Sequence, residues 1–289
     1  MHLIIFIWGF TGILGKLIHL DAIVIVWYRV IIAPLFLGLF FILTKRSFNI
    51  ELKYLWKIVI VGFFVASHWL TFYYSIQLST ASFGVLCLST TTLHVTWIEP
   101  IVMKRKFSWV EFAMGAIVIF GIYFISGDFN ATERTAMYFG LASALCAALF
   151  SVFNAKLSEE VPSSQMTFYE MIIGFIFVTI FLAWQGKLDL ELFKMTGSDL
   201  AWLLFLGIVC TSFAFLVMIE IVKRLGAFTA SLSINLEPVY TILLAIVILN
   251  EHKLLNMNFY IGSIVIILVV VLNGIIKHYQ KNHSTINSI

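Results

Sequence analysis

Apolar residues come in long unbroken stretches along this chain, with polar and charged residues confined to short gaps between them. A bilayer core needs about 20 mostly apolar residues per helix. Read in that unit, the chain predicts ten helices, at residues 2–19, 22–43, 55–76, 80–102, 109–126, 135–156, 165–185, 199–222, 227–249 and 257–276. The gaps are short, such as Gln77 to Ser79 and Lys223 to Gly226, and leave no room for a soluble domain. From Lys277 onward the chain is polar and is read as a tail. The first apolar run has no basic segment before it and leads straight into a second, so it is expected to be a retained helix rather than a signal peptide. The expected fold class is therefore an all-α integral membrane protein of ten transmembrane helices.

Composition agrees with that pattern. Of 289 residues, 61% are hydrophobic and 11% charged, against about 25% charged in a typical soluble domain. The net charge of +3 is small and gives no sign of a nucleic-acid partner. Cys87, Cys146 and Cys210 all lie in apolar stretches without metal or redox spacing, and are read as small buried hydrophobes.

The placement of basic residues carries more than their sum. With an N-terminus in the cytoplasm and ten alternating helices, the inner connections hold twelve Lys and Arg and the outer ones five, Arg29 being intrahelical. That bias predicts both termini on the cytoplasmic side of a cell (inner or plasma) membrane.

The two halves also match each other. Ile7–Lys16 followed by Trp27-Tyr28-Arg29 aligns with Ala147–Lys156 followed by Phe168-Tyr169-Glu170, and Leu78–Gly115 aligns with Leu225–Gly262 at a constant offset of 147. The units are 1–127 and 135–277, with 278–289 as a cytoplasmic tail. Five helices is an odd number, so the second unit would enter the membrane from the opposite side. Inverted repeats are a recurring device of alternating-access carriers.

Polar groups at membrane depth are the candidate chemistry, since an ionisable side chain near the bilayer centre costs at least ~2.5–3.5 kcal/mol. Arg29 lies about 10 Å in from the end of its helix at 1.5 Å per residue. It is either half of an ion pair locking two helices or a positive site for an anionic substrate group or a coupling carboxylate. Glu237 precedes Pro238, which frees a backbone carbonyl, and Ser233, Glu237 and Thr241 share one helical face. In the third helix His68, Thr71 and Ser75 form a polar stripe, and in the fourth Cys87, Thr90, Thr91 and His94 do so. His titrates near neutral pH, so His94 is either a proton carrier or a satisfied structural residue, and His68 is placed in the same way. Glu170 occupies the place of Arg29 in the second unit, and Asn154 shares a face with Ser151 on the sixth helix. Trp8 is a stacking surface for substrate or an interfacial anchor. Substrate contact is thus expected at Trp8, Arg29, His68, Thr71, Thr90, His94, Asn154, Ser233 and Glu237, and coupling or gating at Glu170, Glu237 and His94. Glu99, Glu220 and Glu251 lie near helix ends and are read as solvated.

These residues carry a resemblance. Trp8-Gly9, Lys16 and Arg29, then Leu225-Gly226-Ala227, Leu236-Glu237-Pro238, Glu251 and Gly262, resemble an EamA-type repeat of the drug/metabolite transporter superfamily, in two tandem copies covering nearly the whole chain. In that pattern a Pro is followed thirteen residues on by a Glu and then by a Gly in the next helix. Pro238, Glu251 and Gly262 fit it. The first copy departs, with Thr91 in place of the Pro and Lys104 in place of the Glu. The resemblance implies a central cavity between the repeats and export of small metabolites or drugs.

No phosphate-binding loop, H-E-x-x-H or G-x-S-x-G motif occurs, so the reading is a carrier and not an enzyme, with no cofactor and no metal. The alternatives are a passive channel, which would need a continuous polar lining, and an intramembrane enzyme. The expected partners are the lipid bilayer and a small-molecule substrate, with a homodimer formed through the fifth and tenth helices.

Overall fold

The computed structural model describes residues 1–104, 106–225, 234 and 236–286, and among them the chain is helical with no strand. Six helices are long and apolar enough to cross a membrane. They are α2 (Ala22–Leu43), α3 (Leu52–Leu78), the span Ala81–Met103, α7 (Ala131–Leu157), α8 (Ser163–Trp184) and the span Gly197–Met218. Four shorter apolar helices accompany them: α1 (His2–Leu17), α6 (Trp109–Ile125), α11 (Glu237–Ile248) and the stretch Met257–Asn273 of α12 (Met257–Ile286). The last helix thus continues past Lys277, where a polar tail was expected. The outward side chains are large and apolar, with Leu35, Phe120 and Val247 each more than two-thirds exposed. Such a surface requires lipid rather than water, and the protein is a multi-pass membrane protein.

Polar bonds between connections mark the two ends of the bundle. At the end carrying Met1, here the near face, Gln165 Nε2 donates to Ser47 O at 2.8 Å and Lys156 Nζ to Val102 O at 2.9 Å. At the far face Gln77 Nε2 donates to Leu20 O at 2.7 Å, and the His19 amide donates to Asp199 Oδ1 at 2.8 Å. Helix starts are set by side chains that take orphan N–H groups. Asn130 and Glu133 form a capping box on α7, as do Thr196 and Asp199 on α9 (Gly197–Leu204).

The expected fourth helix is not continuous. It is divided into α4 (Ala81–Leu88) and α5 (Thr91–Met103) by a turn at Ser89-Thr90. Ser89, Thr90 and Thr91 spend their hydroxyls on carbonyls three or four residues back, at Val85, Cys87 and Leu88. At the offset of 147, Ser89 corresponds to Leu236, which is also a turn, and α11 begins at Glu237 with Pro238 in its first turn. Broken helices are tolerated at membrane depth where they line protein or a cavity.

The expected eighth helix contains a second irregularity. Between α9 and α10 (Ala214–Leu225) the segment Phe205–Phe213 is a π-helix. Thr211 Oγ1 and Ser212 Oγ each donate to the carbonyl five residues earlier, at 2.8 and 3.0 Å, and Ser212 Oγ also reaches Ala33 O at 3.0 Å. The widened turn seats Gly207 against α2, where a Cβ would lie 2.5 Å from Ile32 Cγ2. Single wide turns of this kind recur at functional sites.

Ala136, Gly140, Ala144 and Ala148, a stripe of small residues spaced by four on α7, are buried, and a Cβ at Gly140 would meet that of Cys87 at 2.5 Å. Gly121 of α6 and Gly262 of α12 face Ile266 and Ile125 respectively, so these two helices pack on each other within the chain. Glu251 is a correction: it is 2% exposed, not solvated, and accepts the amides of Ala81 and Ser82. Glu220 has no described side chain.

Candidate functional site

α2 presents Arg29 to the interior, where it is 3% exposed. Two elements, α3 and the π-helix, hold its guanidinium. α3 supplies Trp69, whose ring centroid lies 3.7 Å from Arg29 Cζ. One turn further on, Tyr73 Oη lies 3.5 Å from Arg29 Nη1. The π-helix turns Thr211 inward, and its Oγ1 accepts from Arg29 Nε at 2.9 Å while donating to Leu206 O. Tyr73 Oη in turn donates to Thr11 O of α1 at 3.4 Å.

Every one of these partners is neutral. Among the described residues no acidic side chain forms an ion pair with Arg29. Glu237, at the start of α11, interacts with it through space only. Among the described residues, then, the fold builds no ion pair at Arg29. A buried charge without a partner is costly: removing one member of a buried pair costs about 3–5 kcal/mol. The Trp69 face returns ~2 kcal/mol or more when desolvated. The guanidinium is thus held by dipoles and a π-face, with the Glu237 carboxyl acting on it through space.

The other expected residues fall in separate places. His68 is 8% exposed and tied to α7: Ser143 Oγ donates to His68 O at 3.0 Å and lies 2.8 Å from His68 Nδ1. Nδ1 also lies 3.1 Å from the Ser143 carbonyl oxygen, which can only accept, so the hydrogen belongs on Nδ1. Phe72 and Phe150 flank the ring. Thr71 is bonded to carbonyls of its own helix, and Thr90 is buried at the break in the fourth span. His94, edge-on to Trp97, has an Nδ1 with no partner among the described residues. Trp8 is half-buried with its ring 5.7 Å from Phe215. Thr241, on the Glu237 face, donates to Gly9 O and Glu237 O at 3.0 Å each, joining α11 to α1. Ser233 lies outside the described residues.

Glu170 and Asn154 meet in the near half of the bundle. Asn154 Nδ2 donates to Glu170 Oε2 at 3.4 Å, and Glu170 is 3% exposed. Glu170 Oε1 and Asn154 Oδ1 are both buried with no partner among the described residues. A buried carboxyl oxygen needs a donor or a hydrogen of its own, and a proton on the carboxyl would supply it.

Trp69, Tyr73 and Thr211 were not singled out in the sequence. Trp69 and Tyr73 do lie four residues apart, the spacing of one helical face, but on an aromatic-rich helix that spacing is common.

The fold and this interior cluster define the class: a polytopic helical membrane protein with a buried arginine held by neutral side chains among its helices. The EamA-like transporter family model matches residues 1–127 and 134–275. "Uncharacterized transporter YoaV" of Bacillus subtilis is 23% identical over 90% of this chain and 90% of its own length. "Uncharacterized transporter YxxF" from the same organism is 23% identical over 82% of this chain and 77% of its own. One solved crystal structure shares the fold with a TM-score of 0.66, 13% identity and 96% coverage of both chains. The chain belongs to the EamA-like transporter family.

Proposed function

We propose that this protein is a secondary transporter that exports a small solute, a metabolite, amino acid or drug-like molecule, across the cell membrane by alternating access. Its ten apolar helices are read as crossings arranged in two inverted five-helix repeats, with both termini cytoplasmic. The family match to both halves and the turns at Ser89-Thr90 and Leu236 support that reading.

The single observation that carries the proposal is Arg29, buried and without an ion-pair partner among the described residues, gripped by Trp69 and Tyr73 of the first half and Thr211 of the second. An anionic group on the substrate would complete the charge, and binding there would bear on both halves at once. Glu237, Trp8, His68, Thr71, Thr90, His94, Asn154 and Ser233 are the wider set of candidate substrate contacts, of which Ser233 lies outside the described residues. Glu170, Glu237 and His94 would exchange protons if the driving force is a proton gradient.

The test is an untargeted comparison of solutes inside and outside cells expressing the chain or an empty vector, before and after an ionophore collapses the proton gradient. A few solutes enriched outside only with the chain, and no longer so after collapse, is the expected result. Identical profiles at good membrane expression would remove the export reading.

A further inference from the structure

Outside the Arg29 cluster, a buried carboxylate joins the two halves at the far face. Glu251, in the turn Glu251–Lys253 between α11 and α12, is 2% exposed, and its two oxygens accept the Ala81 amide at 2.7 Å and the Ser82 amide at 3.0 Å. These are two of the first free donors of α4, and Thr80 Oγ1 takes the next one, from Phe83. From the opposite side Lys16 Nζ, at the end of α1, donates to Ser79 O at 2.6 Å. The short connection between α3 and α4 is therefore held by a carboxylate from the second half and an ammonium from the first. A recess of about 310 Å³ opens on this face, lined in part by Lys16 and Gln77.

A carboxylate on a helix N-terminus is stabilised by the amides and by the helix dipole, so this alone would be ordinary capping. What distinguishes it is that the cap comes from the other half of the molecule. The carboxylate cannot leave without orphaning two amides at once. The matching place in the first half, at the offset of 147, is Lys104. It is exposed, has a left-handed backbone with φ 55°, and its ammonium cannot accept. The residues matching Ser79–Ser82 in the second half, 226–229, lie outside the described residues.

Resting on the alternating-access reading, we propose that Glu251 is the latch that closes the far face. The near face has no carboxylate at the matching place, so the carrier without substrate rests closed on the far side. Opening to that side requires Glu251 to withdraw from Ala81 and Ser82.

Thr11, 6% exposed on α1 beside Tyr73, reports access to the interior. The experiment labels Thr11→Cys, in a chain with Cys87, Cys146 and Cys210 replaced by Ala, using a membrane-impermeant thiol reagent applied to either face of sealed vesicles. Asp189→Cys, exposed at the far end, identifies which face the reagent meets. Glu251→Gln is expected to speed labelling from the far face at least tenfold and to slow it from the near face, because the latch shifts a population rather than loosening the fold. Unchanged rates, or a rise from both faces together, would overturn the proposal. If Glu251→Gln does not reach the membrane, Lys16→Gln loosens the same connection, and the same pair of changes is required of it. The parent Thr11→Cys separates the two readings. Reactivity from one face only would defeat alternating access itself, whereas reactivity from both with a ratio indifferent to Glu251→Gln would defeat the latch alone.

Discussion

Thr211 Oγ1 accepts the Nε hydrogen of Arg29 at 2.9 Å, across helices whose residues stand 182 apart in the chain. The bond exists because the backbone before Thr211 is π-helical: its hydroxyl closes onto the carbonyl of Leu206, five residues back, and its oxygen is thereby aimed at α2. One hydroxyl thus couples a local widening of the helix to the orientation of the buried cation.

Thr211→Val keeps the shape of the side chain and removes both bonds. A hydrogen bond to a charged group is worth about 1.5–3 kcal/mol. The variant is expected to weaken solute binding roughly 10-fold or more, with Thr211→Ser restoring most of it. Titration of solute into purified protein checks this, and equal affinity for all three chains would sever Thr211 from the site.

The His68–Ser143 pairing predicts a different signature. Both side chains are buried, and each supplies what the other lacks. Ser143→Ala removes the hydroxyl from both groups, at a cost of about 0.5–1.5 kcal/mol. Nδ1–H keeps the Ser143 backbone oxygen at 3.1 Å, and the His68 carbonyl keeps the Thr71 hydroxyl at 3.1 Å. A lower thermal unfolding temperature with unchanged transport per folded molecule is expected. Transport lost at full stability would instead return His68 to the substrate path.

For Glu170, the buried carboxyl oxygen with no partner among the described residues predicts that a proton is bound there during part of the cycle. Glu170→Gln imitates the protonated form permanently. Solute exchange between equal pools, which needs no net proton movement, should persist within about threefold, while accumulation driven by a proton gradient should disappear. Gradient-driven accumulation at the wild-type level would place the coupling proton elsewhere.

The membrane class and most helix ends were legible because lipid demands long apolar runs; the exceptions are the last helix, which runs to Ile286, and the start of the ninth, which lies outside the described residues. Arg29 was legible for the same reason, a charge standing where charges are expensive. Its surroundings were not. Trp69 is one of eight tryptophans, and nothing local distinguishes it from a lipid anchor. The π-helix depends on Gly207 meeting Ile32 from another helix, a tertiary event with no periodic trace. The break at Ser89-Thr90 was missed because hydropathy runs straight through it. Glu251 was misread because position near a helix end says nothing about what packs over that end, and here the start of α4 does.

The central claim is that Arg29 takes an acidic group of the exported solute, and a comparison of paired solutes tests it most directly. The exported acid and its amide, the same molecule with that charge masked, are presented to the wild type, Arg29→Lys and Arg29→Ala in vesicles. The account predicts that the wild type prefers the acid and that both variants lose at least about 10-fold in transport of it. Lys is included because a point charge does not replace the planar fork seated on Trp69. The amide should be carried nearly equally by all three. Acid and amide carried alike by the wild type, or an acid rate unchanged in Arg29→Ala, would contradict the account.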